Sequence, residues 1–210
     1  MVILYSRNVE LTLLFQEEIF MLRIAVLASG SGSNAEELHR YFEGGDLARV
    51  ERIVTNNTKA GVIDRFSGKK VAVLTFDPST ESDLILQELT KTVDLVVLAG
   101  YLKMIPAPWI RAFKGRIINI HPALLPKHGG KGMYGKRVHQ AVSEAEETET
   151  GITIHLVNEH YDEGAIIAQF AVDISPGEVP SSIEEKVRRL ELEYYGPTIE
   201  RWIENLILSQ

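Results

Sequence analysis

Four short apolar runs, at 22–28, 50–55, 71–76 and 94–100, each give way to a segment with helical spacing, and this alternation is the strongest constraint in the chain. A run such as Leu-Arg-Ile-Ala-Val-Leu-Ala suits a central strand of a parallel sheet, covered on both faces. The segments between the runs, 35–42, 60–66 and 81–91, carry apolar residues at helical spacing, as Leu84, Ile85 and Leu89 do in the last. Asn56–Asn57 marks a turn and Gly68 a helix end. Strand and helix in this order predict an α/β fold: a doubly wound, mostly parallel sheet with helices on both faces. Ligands of such sheets bind beyond the carboxyl ends of the strands.

Downstream, 106–113 reads as a short helix with Ile110 on a ligand-facing wall, and 117–121 as a buried strand. Residues 138–147 read as a helix whose acidic tail, 144–149, is a solvated face. Strands at 151–157 and 165–172 precede a last helix over 183–206. Ser181 or Ser182 is placed to cap that helix, and Gly196–Pro197 to kink or restart it.

The chain has 210 residues, a size for one α/β domain with a sizeable core. Its net charge of −7 argues against non-specific binding to nucleic acid. With no cysteine there are no disulfides and no thiolate metal sites, which fits a cytoplasmic location. No run approaches the ~18 apolar residues of a membrane span, so no membrane partner is expected. Residues 1–20 hold apolar patches without a basic leader and read as an N-terminal extension to a domain over 21–210. Nor is a metal-ligand cluster legible.

Three places carry polar groups suited to chemistry. Ser29-Gly-Ser-Gly-Ser-Asn34 lies between the first strand and helix, where glycines and free N–H groups can hold an anion. It is neither a Walker loop nor Gly-x-Gly-x-x-Gly. Asn119 and His121 alternate at the end of a strand, so both face one side. An amide donor beside an imidazole can stabilise an oxyanion, although Asn119 capping a turn and His121 filling a structural role explain the same residues. Pro122 and Pro126 should hold the next segment extended. Asp162, before Glu163-Gly164, reads by itself as a turn residue.

The stretch Asn119-Ile-His-Pro-Ala-Leu-Leu-Pro126 resembles the Asn-x-His-Pro-(Ser/Ala)-Leu-Leu-Pro signature of folate-dependent formyltransferases. The loop through Gly32, Ser33 and Asn34 resembles the phosphate-holding loop of their phosphoribosylglycinamide branch. Tyr101-Leu-Lys-Met-Ile105 resembles the segment lining the pterin pocket. The likeness runs from about Leu22 to Leu206 and implies a Rossmann-like formyltransferase catalytic domain over 21–210.

The resemblance also implies roles. Asn119, His121 and Asp162 would be catalytic, with Asp162 raising the His121 pKa. Gly32, Ser33, Asn34 and Glu191 would hold the phosphate and ribose of glycinamide ribonucleotide. Leu102, Lys103, Met104, Ile105 and Asn119 would meet 10-formyltetrahydrofolate, the main chain of 102–105 reading the pterin edge. The implied reaction is formyl transfer in purine (IMP) synthesis by direct attack, in a monomer or homodimer, without a metal. The glycine-rich loop 127–135 would shield the site, with Lys127 and Lys131 as solvated charges; His128, His139, His155 and His160 receive no role. Methionyl-tRNA formyltransferases and formyltetrahydrofolate deformylases share the central motif, and a nucleotide sensor would need only the loop at 30–34. Asn119, His121 and Asp162 together favour the enzyme.

Overall fold

The computed structural model describes residues 21–208; the expected extension at 1–20 lies outside them. In chain order the elements are β1 Leu22–Leu27, α1 Ser33–Phe42, β2 Ala48–Thr55, α2 Gly61–Phe66, β3 Ala72–Thr75, α3 Ser82–Thr92 and β4 Leu95–Leu98. There follow α4 Ala107–Ala112, β5 Ile117–His121, α5 Lys136–Glu144, β6 Glu149–Leu156, β7 Ile166–Asp173 and α6 Pro180–Leu208. Seven strands form one sheet in the order β3-β2-β1-β4-β5-β6-β7. β1 to β5 pair in parallel, while β6 and β7 join antiparallel at one end. The chain winds outward from β1 to β3 and then returns to β4, so the order reverses beside β1. That switch point opens a crevice beyond the carboxyl ends of β1 and β4.

The expected helices lie on both faces. Ile24 and Val26 of β1 join one core with Leu38, Phe42, Val62, Val138 and Ile199. Ala25 and Leu27, pointing the other way by the period of two, join Leu89, Trp109 and Phe113. Among the described residues no helix is long and apolar enough to cross a membrane.

Several boundaries differ from the sequence reading. α5 ends at Glu144, so 144–149 is not a helix face. Instead Glu147 accepts from Lys127 Nζ at 2.9 Å and pairs with His128 Nε2 at 3.1 Å, while the Lys127 side chain stays solvated as expected. The segment after Pro122 bends and then turns over 125–128 instead of running extended. α6 begins at Pro180, a residue suited to a first helical position, and Ser182 lies inside it, donating to Glu178. The helix also continues through Pro197 to Leu208 without restarting. Tyr195 on one side of the proline and Ile199 and Ile203 on the other are all buried. Packing that face on the sheet outweighs the ~3 kcal/mol that an interior proline costs.

Candidate active site

The carboxyl edge of the sheet opens into a cleft of about 640 Å³. At one end β1 runs into the glycine-serine loop. Gly32 has φ of +76°, and a Cβ there would come within 2.5 Å of Val62, so only glycine fits. α2 braces the loop from behind: Val62 N–H donates to Gly30 O at 3.1 Å and Arg65 Nε to Ser31 O at 2.8 Å. Glu36 in turn holds Arg65 and Lys69. No side chain caps α1, which leaves its first N–H groups for an anion. Asn34 donates Nδ2 to Glu191 Oε2 at 2.9 Å, and among the described residues its sealed Oδ1 has no partner. Burial pushes the Glu191 carboxyl above the ordinary range, against the pull of that hydrogen bond.

At the other end β5 delivers Asn119 and His121, both lining the cleft as period two requires. The antiparallel register sets His155 of β6 directly across from Asn119. His155 Nδ1–H donates to Leu156 O at 2.9 Å, so its Nε2 accepts from Asn119 Nδ2 at 3.1 Å. An amide nitrogen has two donors, and the second is left for a ligand. Asp162 has φ of +57°, a conformation aspartate tolerates. Gly164 lets its loop close up, since a Cβ there would meet Leu156 O at 1.7 Å. Asp162 Oδ2 accepts from Gly130 N–H at 2.9 Å and stands 3.5 Å from His121 Nδ1; Oδ1 stands 3.7 Å from His155 Nε2.

His121 is 3% exposed and donates Nε2–H to the His128 carbonyl at 2.9 Å. The expectation that Asp162 raises its pKa holds for the carboxylate's own effect, but the net shift is downward. Burial lowers the imidazole, and Asp162 and the His128 carbonyl only partly oppose it.

The apolar wall lies between these ends. Leu102 and Met104 are 48% and 49% exposed, and with Tyr134 and Tyr161 they line the cleft. Exposed apolar side chains gathered in a cleft suit a flat heteroaromatic ligand. Lys103 and Ile105 line it too, but two expectations change. Leu102 N–H is already bonded to Ser29 Oγ at 2.9 Å, so it is not free to read a ring edge. Ile110 packs into the core beside Trp109, on the far face of the sheet from α1. Lys131, His160, Glu184 and Arg188 line the cleft as well. The sequence reading gave no role to His155, whose pairing with Asn119 depends on a strand register that no local motif encodes.

The sequence matches the formyl transferase family over residues 22–199. The chain belongs to the formyl transferase family. It is 41% identical over 182 residues to the chloroplastic phosphoribosylglycinamide formyltransferase of Arabidopsis thaliana, covering 82% of this chain and 62% of the relative. The chain thus spans under two thirds of the chloroplastic relatives it matches. It is 34% identical to the phosphoribosylglycinamide formyltransferase of Bacillus subtilis, covering 86% of this chain and 94% of that one. Glycinamide ribonucleotide transformylase 1 from Geobacillus kaustophilus superposes with a TM-score of 0.79 at 36% identity, over 87% of this chain and 99% of the other. The mostly parallel seven-stranded sheet is therefore the Rossmann-like fold of this family's solved structures.

Proposed function

We propose that this formyl transferase moves a formyl group from 10-formyltetrahydrofolate to the amine of glycinamide ribonucleotide, a step of de novo purine synthesis, with 21–210 as the catalytic domain. One observation carries the reading: a single cleft joins the anion loop at 32–34 to Asn119, His121 and Asp162. Relatives named for this activity match along most of their length.

Gly32, Ser33 and the start of α1 take the phosphate, and Glu191, steadied by Asn34, takes the ribose. Leu102, Met104 and Ile105 cover the folate ring. The amine attacks the formyl carbon, and the carbonyl oxygen gains negative charge. Asn119 offers its second N–H to that oxygen. His121, held neutral at rest by burial with its Nε2–H on the His128 carbonyl, takes the amine's proton on Nδ1 and becomes an imidazolium whose charge offsets the oxyanion. Asp162 steadies that cation. The proton then passes to the departing folate nitrogen. One C–N bond forms, another breaks, and one proton changes place.

We further propose a cytoplasmic monomer or homodimer acting on small molecules, without nucleic-acid or membrane partners; cell fractionation and sedimentation test this. The activity test mixes purified protein and 10-formyltetrahydrofolate with glycinamide ribonucleotide, water or tRNA, and follows release of tetrahydrofolate. Turnover is expected with the ribonucleotide only, and dominant turnover with either rival overturns the proposal. Asn119→Ala should lose on the order of 10²–10³ in kcat. His121→Ala and Asp162→Ala should lose most turnover while still binding folate, and near-normal rates in either would remove its assigned role.

A further inference from the structure

His139 is a buried titratable group for which the mechanism above has no use. It lies on α5 between Val138 and Val142, is 5% exposed, and lines the cleft. Among the described residues no hydrogen bond reaches either ring nitrogen: Nδ1 is sealed from solvent, and Nε2 is the one that keeps access to the cleft. Buried polar groups are nearly always satisfied within the fold, so an orphan imidazole at a cleft wall points to a partner brought by a ligand.

Its position identifies that partner. Glu184, Val187 and Glu191 fall on one stripe of α6 and line the same cleft. At 1.5 Å per residue, Glu184 and Glu191 stand about 10 Å apart along the helix. Glu191 marks the ribose end. Glu184 of that stripe and His121 are the ionisable neighbours that bear on His139, which places it toward the reacting end. Burial also holds its imidazole neutral. With Nδ1 sealed, Nε2 of the neutral imidazole offers one hydrogen bond, as donor or acceptor by tautomer, and an amide can match either.

We infer that His139 determines specificity for the formyl acceptor by hydrogen-bonding the amide that links the ribose to the attacking amine. The inference rests on the acceptor assigned under Proposed function.

The test compares wild type, His139→Leu and His139→Asn by steady-state kinetics, thermal melting and calorimetric binding of ribose 5-phosphate, which has no amide. His139→Leu should raise KM for glycinamide ribonucleotide about tenfold, the loss of one hydrogen bond of about 1.4 kcal/mol. Its KM for 10-formyltetrahydrofolate and its affinity for ribose 5-phosphate should stay within about twofold of wild type. It should melt no lower than wild type, because it removes an unpaired polar group from the interior. His139→Asn keeps a donor and an acceptor and should recover part of the acceptor KM.

An unchanged acceptor KM in His139→Leu overturns the inference. So does an equal rise in all three constants, which marks a deformed cleft. If the leucine variant does not fold, an unchanged acceptor KM in His139→Phe, which likewise removes both ring nitrogens, overturns it instead. An active wild type with an insensitive His139 sinks this inference alone, whereas a wild type inactive on glycinamide ribonucleotide sinks the proposed function and this inference with it.

Discussion

His121 is held between two acceptors, the His128 carbonyl at 2.9 Å from Nε2 and Asp162 at 3.5 Å from Nδ1. Both favour the imidazolium, yet burial wins and leaves the group below its ordinary pKa near 6.5. A base that must accept an amine's proton near neutrality is suited by that balance. Replacing Asp162 with Asn removes a contribution that raises the pKa and leaves burial less opposed. The His121 titration followed by NMR should therefore move to lower pH in Asp162→Asn, and an upward move would contradict the assigned electrostatics. At this scale the sequence showed the residue types and their alternation on β5. It did not show which effect dominates, because burial depends on chain packed from elsewhere.

At the scale of elements, α2 acts as a strut for the anion loop. Arg65 reaches the Ser31 carbonyl while Glu36 grips both Arg65 and Lys69 across from α1. These groups are partly exposed, so the ion pairs add little stability by themselves. Their effect is to fix the path of the loop that meets the phosphate. Arg65→Ala should raise KM for glycinamide ribonucleotide several-fold with kcat and folate KM nearly constant. An equal loss in kcat would place Arg65 nearer the chemistry than the structure does. The existence and order of the elements were legible from apolar runs and helical spacing. The path of α6 through Pro197 was not, because local propensity favours a break and burial of Tyr195, Ile199 and Ile203 overrides it. Nor was the role of Glu147, since its contact with Lys127 and His128 joins residues about twenty positions apart.

Across the whole molecule, gathering a catalytic edge inside a packed sheet has a consequence for acid stability. His39, His121, His139 and His155 all have pKa values lowered chiefly by burial. An imidazole depressed on folding binds its proton more tightly in the unfolded chain. Its contribution to stability is intact above about pH 6.5 and is lost as pH falls from there through the depressed folded value. Carboxylates held low by partners, such as Glu178 at about 2 beside Lys186 and Ser182, lose theirs only further down, below the ordinary carboxylate range. Calorimetry should therefore show Tm already declining between pH 7 and 5.5. A flat Tm over that interval would mean that the buried histidines do not resist protonation.

The sequence by itself determined the α/β class, the parallel run of strands, the loop at 32–34 and the Asn119–His121 pair, because each is written in neighbouring residues whose spacing sets backbone direction. Tertiary structure alone decided that His155 orients Asn119, that His139 has no partner in the cleft wall, and that a proline lies within an unbroken helix. Those outcomes come from strand register and burial, which bring together residues remote in the chain and so leave no local pattern to read.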